Sequence, residues 1–91
     1  MYNDKRGVLM NKDYKFNPEM YKTVAKNVRK YRKEKGLSLE ELSKQTEIKK
    51  EFLQNFELAE TNMPISIYDL YKISIILETR IDHFFIEEEL I

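Results

Sequence analysis

From Tyr21 onwards, apolar residues recur in steps of three and four, which is the period of an amphipathic helix. The first set comprises Tyr21, Val24, Ala25, Val28 and Tyr31. Before this set, Asn17-Pro18-Glu19 provides a capping side chain, a proline suited to the first helical position and a carboxylate at the positive helix end. Gly36 can adopt the left-handed conformation that ends many helices. We therefore predict a first helix from residue 18 to about Lys35.

Two short helices with a very short connection are predicted next. Ser38 and Glu41 have the spacing of a capping box, in which each side chain can bond the backbone amide of the other residue. This box predicts a helix over residues 39–46. The apolar spacing predicts a further helix over about 50–58, and Ile48 is expected to fill the core at the turn between the two.

The second half of the chain predicts two more helical segments. Residues 60–64 are expected to form a loop, and a fourth helix is predicted over about 66–77. The composition of residues 73–77 (ISIIL) also suits a strand, but the helical spacing that begins at Ile67 favours a helix. A short final turn of helix is predicted over residues 80–85.

These elements predict an all-α protein, a compact five-helix domain over residues 17–86. Residues 1–16 are polar and basic, show no hydrophobic period, and are predicted to form a flexible N-terminal arm. Residues 87–91 form a tail that is acidic and then apolar. A chain of 91 residues with 42% apolar residues suits one small domain with a single core.

Charge is unevenly distributed along a chain whose net charge is zero. Residues 1–35 carry 11 Lys/Arg against 4 Asp/Glu, whereas residues 57–91 carry 2 against 8. The first part of the chain can therefore face a polyanion such as nucleic acid. The alternative is that both runs are solvated faces of helices.

The composition also argues against several classes of function. The chain has no cysteine, which excludes disulfides and thiolate metal sites and fits a reducing cytoplasm. The single histidine, His83, is interpreted as a surface residue rather than a metal ligand. No glycine-rich phosphate loop, nucleophile elbow, membrane-length apolar run or signal-like segment is present. We expect a cytoplasmic protein with no catalytic residue, metal, cofactor, membrane partner or small-molecule substrate.

Three motifs stand in order along residues 20–85: RKYRKEKGLSLEELS at 29–43, NFE at 55–57 and DLYKISIIL at 69–77. Together with the order of helices, they resemble the Xre family of lambda-repressor-like (Cro/repressor-type) helix-turn-helix DNA-binding domains. The resemblance implies sequence-specific binding of double-stranded DNA by a transcription regulator, with repression as the expected effect. It also implies a homodimer that places two reading helices about one DNA turn apart.

The resemblance assigns roles to individual residues. The third helix is expected to enter the major groove, with base-contacting positions Lys50, Glu51, Phe52 and Asn55. The resemblance also implies phosphate contacts from Ser38 and Asn62. From the basic character of the chain itself, we expect further phosphate contacts from Lys49 and from the first-helix residues Arg29, Lys30 and Lys33. Family members also pair an arginine late in the first helix with a glutamate that ends the third. Here this predicts a partly buried ion pair between Arg32 and Glu57.

Several departures from the family pattern fall on the expected DNA-facing side. Leu39 stands where the family often has glutamine, Glu60 where it often has lysine, and Glu51 adds a carboxylate near the groove. A second hypothesis is therefore a helix-turn-helix fold used as a protein-interaction module. Its partner would bind a mixed apolar and acidic patch formed by Leu39, Glu51, Phe52 and Leu58.

Three turns lack the glycine that the family often has there and instead contain Glu47, Ala59 and Glu78. Because a non-glycine residue at positive φ is strained, either these turns adopt another shape or the domain loses some stability.

The C-terminal apolar residues allow two interpretations. Phe84, Phe85 and Ile86 are candidates for a dimer interface, because a small core does not need all the apolar residues at this chain end. The alternative is that Phe84 fills the core and the chain beyond Ile86 is a frayed tail.

Overall fold

The computed structural model describes residues 18–58 and 64–87, and within these ranges it contains helices and no strand. The elements are α1 (Pro18–Glu34), α2 (Leu39–Thr46), α3 (Lys50–Leu58), α4 (Ile67–Leu77) and a C-terminal 3-10 helix (Ile81–Phe85). This confirms the predicted all-α fold, including the helix rather than strand at 73–77, and shows that the short final turn is a 3-10 helix. The predicted arm over 1–16, the Asn17 cap, residues 60–63 of the predicted 60–64 loop (with Glu60 and Asn62), Ala59 and the end of the tail lie outside the described residues.

The core forms where α1 packs against α3, α4 and the 3-10 helix, while α2 packs against α3 and α4. Its largest fully buried side chains are Phe56 from α3 and Phe84 from the 3-10 helix. Every described helix contributes apolar residues, and Ile48 fills the turn between α2 and α3 as predicted. Burial of this apolar surface is the main favourable term that holds the short helices together.

Phe84 has no exposed surface, and its ring centroid lies 6.0 Å from that of Tyr31 in α1. The prediction that Phe84 belongs to a dimer interface is therefore wrong, because a fully buried side chain offers nothing to a partner. The alternative interpretation, that it fills the core, is the one that the structure supports. Phe85 and Ile86 remain 39% and 44% exposed.

Local hydrogen bonds fix the start of α2 and the turn that follows it. The predicted capping box is present: Glu41 N donates to Ser38 Oγ at 3.0 Å, and Ser38 N donates to a Glu41 carboxylate oxygen at 2.8 Å. At the turn, the buried Thr46 hydroxyl donates to Leu42 O and accepts from Ile48 N. These bonds satisfy backbone groups that a helix end otherwise leaves without partners.

Two helix ends keep the left-handed conformation although neither has glycine there. Glu47 follows α2 with φ 62°, and Glu78 follows α4 with φ 55°. The turns therefore keep the shape that glycine favours, and the domain accepts backbone strain at both positions. At Glu78, the Lys35 ammonium lies 2.7 Å from the carboxylate, and this hydrogen bond lowers the pKa of Glu78.

Replacing Glu47 with glycine is expected to raise the free energy of unfolding by about 0.5–1 kcal/mol, because glycine adopts positive φ without a Cβ clash. Urea denaturation followed by circular dichroism measures this. Glu78→Gly is the matched comparison and should raise the free energy of unfolding by less, because it also removes the carboxylate that pairs with Lys35. A loss of stability in Glu47→Gly would contradict the strain argument.

Asn27 holds the C-terminal segment against α1. This buried side chain donates from Nδ2 to Phe84 O and Ile86 O at 2.8 Å each, with His83 O further away at 3.5 Å. The bonds satisfy the buried carbonyl of Phe84 and the part-buried carbonyl of Ile86 at the end of the 3-10 helix. Asn27 therefore fixes the position of Phe84 in the core.

Asn27→Ala is expected to lower the free energy of unfolding by about 1–3 kcal/mol, because it leaves the buried carbonyl of Phe84 and the part-buried carbonyl of Ile86 without this donor. Asn27→Asp should lower the free energy of unfolding further, since a carboxylate cannot donate a hydrogen bond and would be repelled by the carbonyl oxygens that it faces. Thermal and urea unfolding measure both variants. Thr23→Ala is the control: its exposed 3.3 Å bond to Glu87 also joins α1 to this segment, and its loss should change little. Equal effects in the aspartate and alanine variants would argue against donation by Asn27.

Candidate nucleic-acid interface

The position of α3 is set by what it buries. Leu53 and Phe56 point into the core and are 0% and 2% exposed, and Glu57 is buried beside them. The opposite side of the helix faces solvent. Because α3 packs against both α1 and α2, the direction of its outer face is determined by those two helices.

The predicted ion pair between Arg32 and Glu57 is present and joins α1 to α3. Arg32 Nε and Nη2 donate to the two carboxylate oxygens of Glu57 at 2.8 and 2.9 Å, which is the two-pronged geometry of a strong charged hydrogen bond. Nη1 donates to Leu37 O at 2.6 Å, so the same guanidinium also holds the turn between α1 and α2. The bond to Glu57 raises the pKa of Arg32.

Glu57→Leu is expected to lower the free energy of unfolding by about 3–5 kcal/mol, because it leaves the Arg32 charge buried without its partner. The double variant Arg32→Leu/Glu57→Leu should recover much of this loss, since no unpaired charge remains. A double-mutant cycle in urea measures the coupling. Glu34→Ala, which removes the exposed pair with Lys30, is the control and should cost less than about 1 kcal/mol. Additive single effects at Arg32 and Glu57 would contradict a coupled buried pair.

The outer face of α3 contains most of the predicted base-contacting residues. Lys50, Glu51 and Asn55 are exposed. Phe52 is only partly exposed, because it packs against the core and its ring stacks on Phe56 with centroids 6.2 Å apart. The first three side chains can therefore reach a ligand freely, whereas Phe52 can present only part of its ring.

Gln54 is a further exposed residue on this face that the sequence reasoning missed. It lies one helical turn from Glu51 and beside Asn55. Its amide can donate and accept at once, like that of asparagine. Placing Leu53 and Phe56 inward on a helical projection would have put Gln54 on the outer side, so the signal was present in the sequence.

The predicted phosphate-contacting residues are in unequal positions. Arg29, Lys33, Ser38 and Lys49 are exposed. Lys30 is half-buried: its ammonium lies 3.7 Å from the Glu34 carboxylate and 4.5 Å from the Tyr31 ring centroid. Lys30 is thus engaged within α1, while Ser38 is occupied in the capping box. Asn62 lies outside the described residues.

Four exposed cations of α1 form one continuous stripe, which we call the basic stripe: Lys22, Lys26, Arg29 and Lys33. Their spacing keeps them on one face of the helix over about 16 Å. The first three line a cleft together with Glu57 and Leu58 at the end of α3. The basic stripe therefore runs along the side of α1 that is next to α3.

Charge on the helix-turn-helix surface itself is mixed. Lys49 and Lys50 at the start of α3 lie close in sequence to Glu47 and Glu51, and all four are exposed. Positive charge on this side of the molecule therefore comes mainly from α1. Candidate base-reading groups and candidate phosphate-binding groups are located on different helices.

A family model described as helix-turn-helix, of the Cro/C1 type, matches residues 28–84, which is more than half of the chain. The chain belongs to this helix-turn-helix family. No curated protein and no solved structure matches it. The family is one of DNA-binding transcription regulators, which confirms the resemblance inferred from the motifs. Within the described residues, no helix is long and apolar enough to cross a membrane.

In this helix-turn-helix domain, α2 and α3 are the paired helices, and Glu47 lies in the turn between them. The mutual position of the two helices depends on that turn and on the core residues beneath it. The left-handed Glu47 therefore lies at the centre of the family's defining unit.

Proposed function

We propose that this protein is a sequence-specific regulator of transcription that reads the major groove of double-stranded DNA with α3. The observation that carries the proposal is the exposed polar face of α3 next to the basic stripe of α1. A helix of this kind fits the major groove, and flanking cations meet the phosphates on either side of it.

The chemistry of the α3 face suits direct reading of bases. Lys50 can donate to guanine, and Asn55 and Gln54 can each form two hydrogen bonds with adenine. Glu51 can accept from the amino group of cytosine, so its charge is compatible with a groove contact. Phe52 can touch a thymine methyl with the exposed part of its ring.

Affinity in this proposal comes largely from Arg29, Lys33 and the rest of the basic stripe, with Lys49 at the start of α3. Lysine and arginine contacts to phosphates release counterions and contribute binding energy without sequence information. Ser38 lies at the start of α2, where backbone amides and the positive helix end favour an anion. Asn62 stays a prediction for the segment after α3. Lys30 also stays a predicted contact, one that requires it to leave Glu34.

We further propose that the protein represses transcription in the cytoplasm by occupying promoter DNA as a homodimer. Two copies of α3 would then enter successive major grooves about 34 Å apart. This mode of action requires no cofactor and no catalytic residue.

The second candidate function, a protein-interaction module, has weaker support from the geometry. Leu58 is 53% exposed, and Glu51 is exposed about two helical turns away on the same side of α3. Leu39 and Phe52, however, pack partly against the core and leave little apolar surface for a partner. The exposed mixed charges around Glu47 and Glu51 are the observation that keeps this alternative worth testing.

Binding to random duplex DNA is expected to weaken steeply as salt rises. Arg29→Ala/Lys33→Ala should lower the slope of log affinity against log salt by about 2, because two phosphate contacts are lost. Fluorescence anisotropy over a salt series measures this. Lys30→Ala is the matched control on the same helix and should change the slope less, since Lys30 is engaged with Glu34. Absence of binding even at low salt would favour the protein-interaction alternative.

Asn55→Ala is expected to alter sequence preference and leave the salt slope unchanged, because it removes a base contact and no phosphate contact. Selection of bound sequences from a random library, followed by titration of the selected site, should show a loss of about 1–3 kcal/mol at one position. Gln45→Ala, at an exposed position of α2, is the control. A uniform loss across all sequences would mean that Asn55 does not read a base.

A further inference from the structure

The outer face of α4 is apolar, although it has no covering element among the described residues. Ile67, Tyr68, Tyr71 and Ile75 are 68%, 65%, 53% and 53% exposed, and we call these four residues the α4 face. Tyr68, Tyr71 and Ile75 follow one another at three- and four-residue steps, and Ile67 lies four residues before Tyr71, which is the spacing of a seam between packed helices.

The inner side of α4 is apolar as well. Leu70, Ile73 and Leu77 are buried in the core, so the helix presents apolar residues on both sides. Its two charged residues, Asp69 and Lys72, lie 3.6 Å apart and pair with each other, and Lys72 also lies over the Tyr68 ring. Apart from this pair, α4 presents apolar residues both to the core and to solvent, and a helix that is apolar on most of its circumference is typically buried there. The exposed side of α1, by contrast, is lined with charges.

Three residues of the α4 face are spaced symmetrically about Tyr71. Ile67 precedes Tyr71 by four residues and Ile75 follows it by four, whereas Tyr68 has no exposed counterpart, because Ser74 is buried. Two antiparallel copies of α4 related by a two-fold axis at Tyr71 would place each Ile67 against the partner's Ile75. A patch that complements itself in this way suits an interface between identical surfaces.

We propose that the α4 face is the homodimer interface, with a second copy of this chain as its occupant. The inference rests on the homodimer named in the proposed function and assigns it to a surface other than Phe84, Phe85 and Ile86. It needs no DNA contact, since α4 packs mainly against α2 and its exposed side chains are not those assigned to DNA.

Charge and area are consistent with this occupant. Asp69 and Lys72 cancel, so two copies do not repel each other, and an antiparallel pair also opposes the helix dipoles. The four side chains present on the order of 500 Å² per copy, below the roughly 800 Å² of a standard interface. Shallow grooves beside the face, near Phe85 at one end and Ile81 at the other, can add to the contact. The area predicts a weak dimer that forms as concentration rises.

Sedimentation equilibrium from about 1 µM to 1 mM tests the assembly. The wild-type chain should pass from monomer to dimer over this range. Tyr71→Glu should raise the dissociation constant at least tenfold, because it places two carboxylates at the two-fold axis. Ile86→Glu is the matched control and should leave the constant within about twofold. Circular dichroism checks that both variants stay folded.

Cysteine cross-linking tests the geometry, because the chain has no cysteine of its own. With a bis-maleimide spacer of about 8 Å, close to the distance between packed helices, Tyr71→Cys should link to itself efficiently. Ile67→Cys should link less, since its predicted neighbour is Ile75, and Gln45→Cys on α2 gives the background from random collision.

Each contrary result has a distinct meaning. A chain that stays monomeric throughout, or equal linking at Tyr71 and Gln45, overturns the α4 interface. Efficient linking of Ile86→Cys instead of Tyr71→Cys assigns the dimer to the C-terminal segment and also overturns it. The salt titration with random DNA reads DNA binding separately, so failure of the interface and failure of the proposed function are distinguishable.

Discussion

The buried Arg32 guanidinium is the constraint on which the arrangement of the first three helices depends. One planar group donates to both oxygens of Glu57 in α3 and to Leu37 O in the turn before α2. Because the guanidinium is planar and donates to both carboxylate oxygens, it fixes the orientation of the Glu57 carboxylate as well as its distance. A lysine ammonium, which acts as a point charge, would fix only the distance. The direction in which α3 presents its outer face therefore follows from a residue that itself never reaches that face.

The proposed function assigns two tasks to two different helices. In it, the amides, carboxylate and lysine on the outer face of α3 would discriminate between bases. The basic stripe of α1 would supply the long-range attraction for DNA. The chain's neutral total charge hides this division, since the C-terminal half carries the balancing acidic residues.

Local signals in the sequence were enough to predict the helices. The capping box at Ser38 predicted the start of α2, and the spacing of apolar residues predicted α3 and α4. The pair between Arg32 and Glu57 came from the motif resemblance, since nothing in the spacing of the two residues alone identifies it. The left-handed conformation at Glu47 and Glu78 does not follow from the sequence, which shows the missing glycine but not whether the chain accepts the strain.

Features that depend on distant parts of the chain were not predictable in the same way. Which of Phe84 and Phe85 points inward depends on the 3-10 geometry of that turn and on the space beside Tyr31. The role of Asn27 was missed because its partners lie 57 and 59 residues away and are backbone atoms, which leave no mark in a sequence pattern. Gln54 is different, because its outward position follows from the helix period and could have been predicted from the sequence.

The hydrogen-bond partners of Asn27 are backbone carbonyls, and this affects which substitutions the domain tolerates. A carbonyl oxygen is the same whatever side chain its residue carries. The hydrogen bonds from Asn27 therefore do not depend on the identity of the side chains of His83 or Ile86. Substitutions can accumulate at these two positions while the segment keeps its path across α1. The hydrogen bonds to these carbonyls depend on the side chain of Asn27, so the two sides of this contact differ widely in the sequence variation that they tolerate.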